Sequence, residues 1–154
     1  MRKLIAIILL LTAVSAASAG VCDNRLVFIL CDPKTPVNVR ISPDNRATVV
    51  GRLDFGDYAE SDGKQKNGFV HVYAGDSGDG WIHSGYVVND QPERVEAKAS
   101  VTANGRVMSR NRIDGKRKQW LEVGDEVRVY ALSEEWAVTS KGYIKTQYLE
   151  VWYE

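Results

Sequence analysis

Apolar and polar residues alternate with a period of two along much of this chain. In residues 126–131, Val127, Val129 and Ala131 fall on one side while Arg128 and Tyr130 fall on the other, the pattern of a half-buried strand. Val70, Val72 and Ala74 alternate with Phe69, His71 and Tyr73, so both faces of that run carry apolar weight. Along residues 80–87, Ile82 points away from Trp81 and His83, which predicts Ile82, and Ile144 in the matching run, as core. Residues 26–30, Leu-Val-Phe-Ile-Leu, read as a short buried strand. Gly, Asp and Asn clusters break these runs about every ten residues, and no segment beyond the leader keeps a helical period. The pattern predicts an all-β barrel or sandwich.

The pattern occurs twice. Val37-Asn38-Val39-Arg40, Leu53-x-x-Gly56-Asp57 and Gly80-Trp81-Ile82-His83-Ser84-Gly85-Tyr86-Val87 return as Val107-Met108-Ser109-Arg110, Leu121-x-x-Gly124-Asp125 and Gly142-Tyr143-Ile144-Lys145-Thr146-Gln147-Tyr148-Leu149. The offset is 70 residues at the arginines, 68 at the Leu-x-x-Gly-Asp and 62 at the closing run. A period this long predicts two small domains, each with its own core, rather than a solenoid. Two residues are lost after the arginine and six more from polar stretches of the first copy, 61–68 and 75–80, where length changes are tolerated.

In this order the motifs resemble the bacterial SH3 domain (SH3b) family, whose pattern opens on Val-Asn-Val-Arg and ends in Gly-Trp-Val-x-x-x-Tyr-Leu. The second copy opens more weakly but keeps the arginine, the Leu-Glu-Val-Gly-Asp and the ending, and Trp136 stands at the family's tryptophan where the first copy has Phe69. The resemblance implies two tandem small SH3-like β-barrels of five to six strands. Val39, Leu53, Val70 and Ile82 are expected in one core, and Val107, Leu121, Val127 and Ile144 in the other. It also implies a 3₁₀ turn before each closing tyrosine. The expected layout is a leader at 1–19, an N-terminal extension at 20–36, one domain at 37–89, a polar linker at 90–97 and a second domain at 98–154.

The leader follows from composition. Arg2-Lys3, an apolar run from Leu4 to Ala13 and Ala17-Ser18-Ala19 predict a secretory signal peptide, with no stable membrane span once it is cleaved. In an exported chain, Cys22 and Cys31 are expected to form a disulfide around the 26–30 strand. Without Arg2 and Lys3 the chain holds 18 basic and 20 acidic residues, so no overall field draws it to nucleic acid. The basic run from Arg106 to Lys118 is either a solvated loop or an anion-binding patch.

The barrel expectation brings Trp81, Tyr86, Tyr143 and Tyr148 to a surface groove, as ligand-binding residues or as packing with hydrogen-bonded polar ends. Trp120, Tyr130 and Trp136 are expected to be exposed, with Trp136 a further ligand-binding candidate. Arg40 and Arg110 recur at one motif position and call for a fixed partner, a carboxylate or loop carbonyl, or else a ligand. His71 and His83 have Val138 and Lys145 in their places in the second copy and lack companion ligands, so no metal and no cofactor is expected. Family members often accompany a cysteine peptidase domain, but no nucleophile–base arrangement is visible in this sequence. The expected function is an exported, non-catalytic binding module for peptidoglycan or for an envelope or extracellular protein. The alternative is a structural or regulatory partner of one dedicated extracytoplasmic protein, with no cell-wall binding.

Overall fold

The structure, a computed structural model, describes residues 25–153; the expected leader and Cys22 lie outside them. The chain is all-β, and its strands form two sheets. The first holds β1 (Arg25–Ile29), β2 (Val37–Arg40), β3 (Val49–Leu53), β4 (Tyr58–Ser61), β5 (Gln65–Lys66), β6 (Phe69–Tyr73), β7 (Asp79–His83) and β8 (Val87–Val88). The second holds β9 (Glu93–Val101), β10 (Val107–Arg110), β11 (Arg117–Leu121), β12 (Glu126–Leu132), β13 (Trp136–Thr139), β14 (Gly142–Lys145) and β15 (Leu149–Tyr153). Short 3₁₀ turns, Ser84–Tyr86 and Thr146–Tyr148, precede β8 and β15. Among the described residues no helix is long and apolar enough to cross a membrane.

Strand order is the same in both sheets: β3-β2-β7-β6-β4-β1-β8 and β11-β10-β14-β13-β12-β9-β15. The Leu-x-x-Gly-Asp motif explains part of this identity. Gly56 and Gly124 take φ of 79° and 89°, a left-handed turn that a side chain would strain. Asp57 and Asp125 each accept from the backbone N–H just after the motif leucine, at 2.7 and 2.9 Å. Each turn then grips a strand: Ile29 N–H donates to Asp57 O and Gly56 N–H to Ile29 O, while Val101 and Gly124 repeat both bonds with Asp125 and Val101.

The extension at 20–36 adds a strand to the first sheet, one of the two roles open to it in the sequence: β1 pairs with β4 and β8. One expected boundary changes. The expected linker at 90–97 gives Glu93–Ala97 to β9, the matching strand of the second sheet, which pairs with β12 and β15. The reason is the period: Val95, Ala97, Ala99 and Val101 alternate with polar residues and bury one face.

Each sheet curls over one apolar cluster. Val27, Ile29, Val37, Val39, Leu53, Ala59, Val70, Val72 and Ile82 form the first, drawn from strands along the whole path. Val95, Ala97, Ala99, Val101, Val107, Leu121, Val127, Val129, Ala137 and Ile144 form the second. All eight expected core residues are buried, with Val39, Ile82 and Ile144 at 0% exposure. Neither strand path closes on itself. Cys31 is buried in the first cluster, and burial pushes its thiol up to about 12; the expected bridge to Cys22 falls outside the described residues.

Candidate functional site

A third apolar cluster joins the two units. Leu30 and Val88 from the first meet Ala131, Trp136, Val138 and Tyr143 from the second, flanked by Phe28, Phe55, Tyr86 and Ile113. This overturns one sequence expectation, an exposed Trp136, and decides Tyr143 for the second of its two readings, packing with a hydrogen-bonded polar end. Trp136 is 9% exposed and Tyr143 5%, because the outer face of β13 and β14 packs against the first unit instead of facing solvent. The Tyr143 hydroxyl donates to the Leu30 carbonyl at 3.0 Å, and burial holds the phenol far above its ordinary pKa. Tyr86 lies edge-on to Tyr143 at 6.4 Å between centroids.

Part of the basic run is also consumed here. Ile113 N–H donates to Gly85 O, and Ser84 Oγ donates to Asp114 Oδ2 at 2.5 Å. Asp114 and Arg112 pack against Gly85 so closely that a Cβ there would meet both side chains and displace them; in the second unit the same position is Gln147. His83 Nδ1 sits 3.8 Å from Asp114 Oδ1 and accepts from Gly85 N–H. Burial, and then Arg112, lower its pKa.

On the first unit, the face equivalent to Trp136–Tyr143 is covered from within. His71 Nδ1 lies 3.0 Å from Asp62 and its Nε2 2.5 Å from Asp79. Both carboxylates come from the stretches that are shorter in the second copy. The 61–68 stretch folds down through Ser61 Oγ to His71 O, His71 N–H to Lys64 O, and the short β5 strand paired with β6. Its turn is Asn67-Gly68, with φ of 52° and 77°, the left-handed pair that a tight hairpin demands. Trp81 remains half-buried, with its ring 4.9 Å from that of His71.

Arg40 and Arg110 have matching partners. Each donates from Nη1 to a loop carbonyl, Ala47 at 2.7 Å and Gly115 at 2.8 Å. Of the two readings open in the sequence, the arginines take the loop carbonyl, and Arg110 faces a groove as well.

That groove belongs to the second unit alone. A cavity of about 440 Å³ is lined by Met108, Arg110, Trp120, Trp136, Lys145 and Tyr148, with residues 103–107 at one end. Trp120 is 48% exposed, lies across from Met108 on β10 and carries Arg117 over its ring at 5.4 Å. Lys145 Nζ stands 5.8 Å from the Trp136 ring centre. Arg106 at the rim is paired with Glu122 at 2.7 Å. Of the seven proposed ligand residues, the structure brings Arg110, Trp136 and Tyr148 to this groove and leaves Arg40, Trp81, Tyr86 and Tyr143 outside it. Sequence reasoning missed Lys145 and Met108 as lining. The signal available was their strand position, Lys145 paired with Trp136 and Met108 with Trp120.

Residues 35–88 match the family model described as bacterial SH3 domain. No curated protein matches the chain. Among solved structures, the chain is similar to NlpC2 and NlpC1 from Trichomonas vaginalis. Identity is 18% in both, over 82% and 94% of this chain and 48% and 50% of those chains, with TM-scores of 0.33 and 0.35. The chain thus spans about half the length of these structures.

Proposed function

We propose that this chain is an exported, non-catalytic binding module, built of two SH3-like barrels, that holds peptidoglycan through the groove of its second unit. The observation that carries this reading is the groove itself: an exposed tryptophan and a half-buried tyrosine beside an open cavity. Exposed aromatic rings next to unfilled space are the usual anchors of recognition sites. The bacterial SH3 match at 35–88 supports a binding role for the first unit, and the shared strand order supports reading the second unit the same way. Export rests on residues 1–19 and on the expected Cys22–Cys31 bridge.

The test is sedimentation of residues 20–154 with insoluble peptidoglycan at low and high salt. Pelleting that survives high salt is expected, because ring contacts are not screened as surface charges are. Trp120→Ala and Tyr148→Ala should each weaken it by about 1–2 kcal/mol. Tyr86→Ala should leave binding unchanged, since that ring faces Tyr143. Absence of pelleting, together with recovery of one envelope protein in a pull-down, would instead favour a dedicated protein partner.

A further inference from the structure

Two cations in the second unit's groove have no acidic partner. Arg110 and Lys145 make a carbonyl bond and a ring contact respectively, and neither has an ion pair among the described residues. Arg106 at the rim is already matched by Glu122. The cavity thus offers two positive charges over an aromatic floor and no negative one. In the first unit, by contrast, the position of Lys145 is His83, and a carboxylate, Asp114, already stands 3.8 Å from it. An acid from the protein itself sits beside the first turn; beside the second that place is open.

The groove also borders the end of a sheet. Trp120 lies on β11, the last strand of its path, which pairs with β10 and with no other strand among the described residues. An end strand presents a regular row of backbone N–H and C=O groups that an extended peptide can match as one more strand. Charge and edge together favour a peptide.

We infer that the groove takes an extended peptide carrying a free carboxylate, with Arg110 and Lys145 holding the charge and Trp120, Trp136 and Tyr148 holding the adjoining chain. The inference rests on the binding-module reading and names the chemistry that the same groove selects. A carboxylate between an ammonium and a guanidinium gains charge-assisted hydrogen bonds that an amide cannot make.

The test compares purified peptidoglycan with the same material after carbodiimide amidation of its carboxyl groups, using sedimentation of residues 20–154. Amidation is expected to weaken binding about tenfold, the size of one lost charge-assisted bond. Lys145→Gln, at an exposed position, should weaken binding to untreated wall and erase the difference between the two preparations. Equal pelleting of both by the unaltered protein overturns the carboxylate inference and leaves the binding-module reading standing. Failure to pellet with untreated wall overturns both. A second pair of probes separates peptide from sugar: the glycan-free peptides released from the same wall, and polygalacturonate, an acidic polymer without peptide. Competition by the peptides is expected. Competition by polygalacturonate alone overturns the assignment to a peptide.

Discussion

The outer face of β6 and β7 in the first unit and that of β13 and β14 in the second begin from the same backbone and end in opposite roles. In the first, His71 is held by Asp62 and Asp79, with Trp81 against its ring and Phe69 against that of His83. In the second, Trp136, Val138 and Tyr143 have no such cover and pack on Leu30 and Val88 of the neighbouring unit. The difference traces to insertions totalling only a few residues. A repeated fold becomes an ordered pair because one copy covers its own apolar face while the other lends that face to its neighbour.

The largest effect that would test this comparison lies in the cores. Ile82→Ala and Ile144→Ala, both at fully buried positions, should each destabilise by about 2–4 kcal/mol. If the third cluster couples the units, both variants lower one shared denaturant midpoint. Two separate transitions, each moved by only one variant, would show that the units unfold independently.

Next comes Gly85→Ala. Its Cβ would meet Asp114 and Arg112, so overpacking should destabilise the junction by about 1–3 kcal/mol, while Gln147→Ala at the matching position should change little. Amide exchange at Ile113, whose N–H donates to Gly85 O, would report the loosening directly. Equal protection of Ile113 in both proteins would mean that the turn tolerates a side chain and the asymmetry has another origin.

Tyr143→Phe is a smaller change. It leaves the Leu30 carbonyl without its donor and should destabilise by about 1–2 kcal/mol, the usual consequence of a buried unsatisfied acceptor. Trp81→Phe, at the matching position in the first unit, should fall below that by thermal denaturation.

The smallest effect concerns acid. The Lys64 hydrogen bond, more than His71, lowers the Asp62 carboxyl to about 2 from 3.8. A depressed carboxylate stabilises the fold above its unfolded pKa, and that contribution fades as pH falls through the folded one. The 61–68 cover of the first unit should therefore loosen between about pH 4 and pH 2, with no counterpart in the second unit. Carboxyl chemical shifts read the titration; an Asp62 midpoint near 4 would remove this term.

How much of this was legible in the sequence depended on distance along the chain. Strand parity around Ile82 and Ile144, the turn at Gly56 and Gly124 and the recurring arginine role are local, and alternation or spacing reveals them. The linker expectation failed because Pro92 and the charges of 90–97 outweighed the Val95-x-Ala97-x-Ala99-x-Val101 alternation, which is weak in bulk though regular. Trp136 departs from expectation for a different reason, and Tyr143 stays undecided in the sequence for the same one: whether the outward face of their strands meets water depends on Leu30, more than a hundred residues away. The open groove was half visible: Trp136 and Tyr148 were singled out for it, whereas Lys145 and Met108 needed the register.

Contacts between unlike surfaces of repeated units carry a general hazard, since each added unit exposes a fresh acceptor for the next and the result can be an open fibre. Here both free ends are stopped. On the matching face of the first unit, His71 is engaged by Asp62 and Asp79. On the second unit, the positions matching Phe28, Leu30 and Val88 are Ser100, Thr102 and Glu150, too polar to receive another apolar face. The junction between the units is thus made of surfaces that neither unit offers a second time among the described residues.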